Sequence, residues 1–186
     1  VGNYGVKPED VESSSVKVKA VIGRNLEEKY SRFLSDNSLQ QYLESQNIVA
    51  IDGVDTRALV EHVRIKGAMN CIISSEETDI EKLKQQLKEV PSMDGLELAS
   101  VVSTTASYTL GEENNELRIA VLDFGIKKNI LNCLVERGAY VKVFNAKTSF
   151  EELEKFNPHG YFISNGPGDP APMDYAIKTV KQVLQT

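Results

Sequence analysis

The chain has 186 residues, of which 41% are hydrophobic and 26% charged, and its formal net charge is −6. This composition is typical of a globular protein with one domain or two small ones, and the negative charge disfavours nucleic acid and anionic membranes as partners. No apolar run approaches the ~20 residues of a membrane span. Two cysteines are too few for a disulfide framework. We therefore expect a cytoplasmic protein with reduced thiols.

The first part of the chain contains three predicted strands. Apolar residues alternate with other residues over 16–22, which predicts a half-buried strand. The short apolar runs 48–51 and 68–73 predict two more. Cys71 lies in the last of these runs, so we expect a buried and unreactive thiol.

Three predicted helices of the same part are recognised by their capping residues. Ser38 and Gln41 have the spacing of a capping box, and Asp55 and Asp79 each precede a segment with helical apolar periodicity. The helix after Asp55 carries His62 on or beside its predicted apolar face. Since no Cys, Ser or second His accompanies His62, we interpret it as a packed or surface residue and not as a catalytic base.

The second part of the chain begins after a polar segment, 106–116, which predicts a linker between two domains. From Leu117 onwards strands and helices alternate, which favours a parallel sheet covered by helices. The predicted strands are Leu117–Leu122, Tyr140–Phe144 and Gly160–Ser164. The first predicted helix runs from Ile126 to Arg137. The second begins at a capping box of Thr148 and Glu151 and ends before Pro158, and the third begins at a cap formed by Asp174.

The last of these strands leads into Ser-Asn-Gly-Pro-Gly-Asp-Pro, residues 164–170. We call the residues Asn165–Asp169 the ledge. Pro167 fixes φ and has no N–H, while Gly166 and Gly168 allow a close approach or a positive φ. The sequence therefore predicts a stiff turn whose main donors are the two glycine amides, at the carboxyl end of a parallel strand, where open α/β sheets bind ligands.

The ledge resembles the loop that follows a core strand in class I glutamine amidotransferases. Within that class the small subunits of carbamoyl-phosphate synthetase are the most similar family, because further matching motifs occur in the family's order over nearly the whole chain. These motifs are Gly2-Asn-Tyr-Gly5, Gly53-Val-Asp-Thr-Arg-Ala-Leu59, Arg64-Ile-Lys-Gly-Ala-Met-Asn70 and Val121-Leu-Asp-Phe-Gly-Ile-Lys-Lys-Asn-Ile-Leu131.

The resemblance implies an α/β fold in two parts. Residues 1–105 would form the family's N-terminal α+β domain, incomplete at its start, and 117–186 would form the first βαβαβα part of an amidotransferase domain, with 106–116 as the linker. The implied activity is glutamine hydrolysis that supplies ammonia for carbamoyl phosphate synthesis in arginine and pyrimidine pathways. The implied partner is the carbamoyl-phosphate synthetase large subunit, which would bind ATP and Mg, while this chain would bind no cofactor or metal.

The resemblance also assigns roles to residues. Gly166 and Gly168 match the glycines of the family's glutamine-binding loop, and Gly166 is favoured as the oxyanion-hole donor. The nucleophilic Cys, the His and the Glu are expected beyond Thr186, so no catalytic residue lies in this chain and the segment alone is expected to be inactive.

Three other interpretations of the chain are weighed against this one. Cys133 could be a nucleophile, but it lies within a predicted helix and not on a strand-to-helix turn, and His159 lies at the opposite end of its strand from the ledge. The segment Asp123–Asn129 could instead hold an anion or nucleotide in a non-catalytic docking module, although it lacks a complete phosphate-binding motif. The chain could also contribute mainly subunit-interface surface.

Overall fold

The structure, a computed structural model, describes residues 5–13 and 15–186. Its contacts divide the chain into two compact units, Val1–Pro91 and Ser92–Thr186. In the described ranges, no helix is both long enough and apolar enough to cross a membrane.

The described residues of the first unit form three α-helices and a small sheet. A single 3-10 turn, Pro8–Asp10, is followed by β1 (Ala20–Ile22), α1 (Leu39–Ser45), β2 (Val49–Ile51), α2 (Thr56–Lys66) and α3 (Ile80–Glu89). The strands β1 and β2 pair in parallel over three residues, with Ala20 opposite Val49.

The predicted helix starts of this unit are confirmed. The Ser38 hydroxyl accepts from the Gln41 N–H at 3.1 Å while the Gln41 side chain accepts from the Ser38 N–H at 3.1 Å, which is the capping box. Asp55 and Asp79 each accept N–H groups of the first turn of their helices. The apolar face of α2 is not buried, since every residue from 57 to 66 is exposed, and His62 is accordingly a surface residue.

Two strand predictions in this unit are corrected. Only Ala20–Ile22 of the predicted strand 16–22 is paired, because its partner β2 has three residues. Residues 68–73 form no strand, and Cys71 is exposed instead of buried. An apolar run becomes a strand only where a neighbouring strand supplies hydrogen-bond partners.

The second unit is a four-stranded sheet with helices. Its elements are α4 (Ala99–Val102), β3 (Tyr108–Leu110), β4 (Leu117–Asp123), α5 (Lys128–Glu136), β5 (Ala139–Asn145), α6 (Phe150–Glu154), β6 (Gly160–Ile163) and α7 (Asp174–Val183). The strand order is β3-β5-β4-β6. The strands β5, β4 and β6 are mutually parallel, which confirms the predicted α/β parallel sheet, while β3 adds an antiparallel edge.

The sheet separates two apolar clusters. Val121 and Val143 are opposite each other in register and belong to one cluster, and the next pair, Leu122 and Phe144, belongs to the other. Successive side chains of a strand point to opposite faces of the sheet. Both faces of β4 and β5 are therefore covered, which accounts for their nearly continuous apolar sequence.

Three local predictions in this unit differ from the structure. Tyr108–Leu110, inside the predicted linker 106–116, pairs with β5 as an edge strand. The cap of α6 is Ser149 and not Thr148, and Asp174 is the first residue of α7 and not its cap. The two compact units meet after Pro91, which lies before the predicted linker 106–116. Compact units need not coincide with the domains of a protein family. The domain limits 1–105 and 117–186 therefore stay a prediction.

Candidate functional site

The ledge is separated from the last residue of β6 by Ser164 alone and lies at the carboxyl ends of the parallel strands. Its backbone lies against two other parts of the second unit. A Cβ atom on Gly166 would lie 2.2 Å from the carbonyl oxygen of Phe124, the residue that follows β4. No side chain fits there, so the close approach of two backbone segments requires glycine.

The second glycine of the ledge is required for another reason. Gly168 has a φ of +88°, and a Cβ atom there would lie 2.6 Å from the Leu96 carbonyl oxygen. Gly168 and Glu97 form an antiparallel bridge, and the next N–H, that of Asp169, donates to the Leu96 carbonyl at 2.9 Å. The two halves of the ledge are thus held by different segments, β4 and its following turn on one side and residues 95–98 on the other.

Glu97 anchors this second segment. Its carboxylate accepts from the Ser100 N–H at 2.7 Å, from the Ser100 hydroxyl at 2.5 Å and from the Tyr175 hydroxyl at 2.9 Å. The hydrogen bond from the Ser100 hydroxyl is the main cause that lowers the pKa of Glu97. Burial, followed by the bond to Glu97, raises the pKa of Tyr175 to about 12. The segment beside Gly168 is therefore connected to α7 through a charge-assisted hydrogen bond.

Asp169 closes the ledge with two further hydrogen bonds. Its carboxylate accepts from the Ala171 N–H at 2.8 Å and from the Gly95 N–H at 2.9 Å. These two bonds lower the pKa of the Asp169 carboxyl, the one from Ala171 having the larger effect. Asp169 is consequently occupied as a structural acceptor and is not poised to act as a base.

A buried serine lies directly before the ledge. Ser164, which is 6% exposed, accepts from the Phe124 N–H at 2.8 Å and donates to the Asn165 carbonyl at 2.8 Å. Ser164 opens the Ser-Asn-Gly-Pro-Gly-Asp-Pro motif, but no local pattern in the sequence indicates its role, because the contact with Phe124 spans 40 residues.

The turn after β4 is held by Asp123. The Asp123 carboxylate, which is 6% exposed, accepts from the N–H groups of Thr104 at 2.7 Å and of Gly125 and Ile126 at 2.9 Å each. The N–H groups of Gly125 and Ile126 are therefore not free to bind an anion. The buried Asp123 carboxylate also places a negative charge at this turn, and both facts disfavour the anion-binding interpretation of Asp123–Asn129.

A cavity of about 400 Å³ lies between the ledge and α7. Its wall consists mainly of apolar side chains and of the ledge backbone. It is lined by Ala99, Phe124, Ile163, Ser164, Gly166, Pro167, Gly168, Pro170, Met173, Ala176, Ile177, Val180 and Lys181. Among the described residues, the N–H groups of Gly166 and Gly168 donate to no protein acceptor. Gly166 and Gly168 thus line the cavity, and each has a backbone N–H that is not bonded within the protein.

The candidate nucleophile and bases lie elsewhere. Cys133 is a half-buried residue of α5, and His159 lies before β6, where its Nδ1 accepts from the Arg118 N–H at 3.2 Å. No cysteine or histidine is among the described residues that line the cavity. The described residues therefore place neither a thiol nor an imidazole beside the ledge.

Comparison with known proteins identifies relatives of both parts of the chain. Residues 1–73 match the family model described as the CPSase domain of the carbamoyl-phosphate synthase small chain, and residues 120–186, which include the ledge, match glutamine amidotransferase class-I.

Similar curated proteins are carbamoyl phosphate synthase small chains. The chain is 42% identical to the one from Synechococcus sp. over 198 residues, covering 100% of this chain and 51% of the relative. It is 40% identical to that of Chlorobaculum tepidum (98% and 50% covered) and 41% identical to that of Salmonella typhi (100% and 53% covered). The chain therefore spans about half the length of the relatives it matches.

Proposed function

The chain belongs to the family of carbamoyl phosphate synthase small chains, and from this premise we propose that it supplies the oxyanion-binding half of a glutamine-hydrolysing site. In the proposed reaction a cysteine thiolate attacks the side-chain amide carbon of glutamine, and the amide oxygen becomes negatively charged. The Gly166 N–H donates to this oxygen, and Gly168 borders the bound glutamine. The intermediate collapses to a thioester as the amide nitrogen takes up the proton lost by the cysteine thiol and leaves as ammonia. Water then hydrolyses the thioester, which releases glutamate and regenerates the cysteine thiol.

One observation supports this proposal above the others. Gly166 and Gly168, whose N–H groups have no protein acceptor, line a mostly apolar cavity at the carboxyl ends of parallel strands. Preorganised N–H donors in a water-poor site stabilise charge that develops only in the transition state. The nucleophile would come from the part of the longer small chains that this chain does not match, so the 186-residue chain alone is proposed to be inactive.

The first experiment measures glutamate release by this chain and by a longer small chain that contains it. We expect turnover only in the longer polypeptide, with Cys133→Ser unchanged. Turnover by the 186-residue chain that is abolished by Cys133→Ser would overturn the proposal.

The second experiment removes the ledge geometry. In Gly166→Ala the new Cβ atom would meet the Phe124 carbonyl oxygen, so the ledge must shift and kcat should fall about 10²–10³-fold, as for the loss of one oxyanion-hole donor. Gly160→Ala is the matched control, because a Cβ atom there meets nothing within 4 Å. Equal kcat values for the two variants would contradict the assigned role of Gly166.

The partner and the cofactors belong to the same proposal. The large subunit would receive the ammonia and would bind ATP and Mg, and the assembly would work in the cytoplasm. Co-purification of the longer small chain with a large subunit, together with ATP-dependent carbamoyl phosphate formation from glutamine, tests this part. Glutamine hydrolysis without any association with the large subunit would contradict it.

A further inference from the structure

The Ser164 hydroxyl is bonded to one specific peptide group of the ledge. It donates to the carbonyl of Asn165, at 2.8 Å. That carbonyl and the N–H of Gly166 belong to the same peptide group, which is planar and trans, since the structure has no cis peptide bond among the described residues. In a trans peptide the C=O and N–H point in opposite directions. Fixing the Asn165 carbonyl therefore fixes the direction of the Gly166 N–H.

This peptide group needs such a restraint. A peptide rotates as a unit through ψ of the residue before it and φ of the residue after it, and glycine tolerates most values of φ. Rotation of the Asn165–Gly166 peptide by half a turn would exchange the N–H for a carbonyl oxygen, which repels a negatively charged oxygen. A side chain that binds only one of the two orientations selects it.

The proton of Ser164 is committed to this bond. A serine hydroxyl has a single proton to donate, and its oxygen also accepts. The oxygen of Ser164 accepts from the Phe124 N–H at 2.8 Å, so the hydroxyl lies in a chain that runs from Phe124 through Ser164 to Asn165. Phe124 is also the residue whose carbonyl lies against Gly166. One buried serine thus connects the end of β4 to the orientation of the ledge peptide.

We propose that Ser164 is a positioning residue that holds the Asn165–Gly166 peptide with its N–H available to the glutamine oxygen. The inference rests on the proposed function and deepens it, because it names the group that orients the proposed donor. The oxyanion exists only along the reaction path, so loss of the Ser164 hydroxyl should act on kcat and leave KM nearly unchanged.

The chain offers a matched control for this test. Ser103 is also buried, at 9% exposure, and its hydroxyl oxygen accepts from the Ala146 N–H at 2.9 Å. Ser103→Ala and Ser164→Ala each remove one buried hydroxyl that accepts from a backbone N–H of the same unit. Only Ser164→Ala also releases a ledge peptide.

The kinetic experiment compares Ser164→Ala, Ser103→Ala and Ser164→Thr in the longer small chain with its large subunit. We expect kcat to fall tenfold or more in Ser164→Ala, toward the ~10²–10³-fold that follows loss of a donor. KM should stay within about twofold, Ser103→Ala should resemble the parent, and Ser164→Thr, which keeps a hydroxyl, should recover most of kcat. Equal kcat losses in Ser164→Ala and Ser103→Ala, or a loss in KM alone, would overturn the inference.

A second measurement does not depend on activity. Residual dipolar couplings in the 186-residue chain report the direction of the Gly166 N–H. We expect Ser164→Ala to change this coupling and Ser103→Ala to leave it unchanged. An unchanged coupling in Ser164→Ala would overturn the inference even if the longer small chain hydrolyses glutamine. Conversely, a changed coupling together with an inactive parent would refute the proposed function and leave the orienting role of Ser164 intact.

Discussion

The two compact units form helices by the same local rules but differ in how much side-chain surface they bury. In the second unit Val121, Val141, Val143 and Leu153 have no exposure at all. Over the described residues 5–13 and 15–91 of the first unit, Leu43 alone is a buried hydrophobic. A cap is made by neighbours in sequence, whereas a buried strand needs neighbours on both sides of it. Capping therefore determines where the helices of both units begin, whereas tertiary packing, which is extensive only in the second unit, supplies most of the stability.

The largest expected effect tests the difference in burial with one residue type. Leu153 on α6 is fully buried and Leu59 on α2 is 36% exposed. Leu153→Ala should lower the free energy of unfolding by about 2–5 kcal/mol, because it removes buried methyl groups and leaves a cavity. Leu59→Ala should cost less than about 1 kcal/mol. Urea denaturation measures both, and similar losses would show that the first unit is as well packed as the second.

A smaller effect is expected from removing helix caps. The helix α3 has no buried residue, so its cap Asp79 contributes a large share of what holds it, while α6 also buries Leu153. Asp79→Ala should cost about 1 kcal/mol of helix stability and should speed amide hydrogen exchange over 80–89. Ser149→Ala should leave exchange in α6 slow. If removal of the cap speeds amide exchange equally in α3 and α6, the burial of Leu153 does not protect α6.

The smallest effect concerns the pH dependence of the contacts beside the ledge. The pKa of Glu97 is lowered in the folded chain, so the ionised form of Glu97 stabilises the fold. This stabilisation is fully present above the unfolded pKa of about 4. It is lost as the pH falls through the folded pKa. The difference in unfolding free energy between the parent and Glu97→Gln should therefore be largest at neutral pH and shrink below about pH 4. Glu89→Gln on exposed α3 controls for the loss of one charge. If the difference in unfolding free energy between the parent and Glu97→Gln grew as the pH fell, ionised Glu97 would not be the stabilising form.

Much of the fold could be predicted because its signals are local. The caps Ser38, Asp55 and Asp79 were found from their own neighbours, and the parallel strands β4, β5 and β6 from apolar runs separated by helical periodicity. The predicted strand 68–73 was wrong because, in the part of the chain that the structure describes, no strand pairs with it. The edge strand β3 was missed since three residues, Tyr108–Leu110, carry too little pattern.

The candidate site was predictable only in part. The motif predicted where Gly166 and Gly168 lie, and whether they take part in glutamine binding stays a prediction. The roles of Ser164 and Glu97 depend on contacts with Phe124 and Tyr175, which are 40 and 78 residues distant in sequence. No local pattern reports such contacts, so they become visible only after the chain has folded.

The contacts of Gly168 and Asp169 with residues 95–98 determine where the region that matches the amidotransferase family can be cut for separate expression. The region that matches that family model begins at residue 120, but the backbone neighbour of Gly168 is Glu97 and the acceptor for Asp169 is the carbonyl of Leu96. A truncation made at the start of the family match would delete these partners along with the edge strand β3. The shortest piece that keeps the whole turn supported has to start before Gly95.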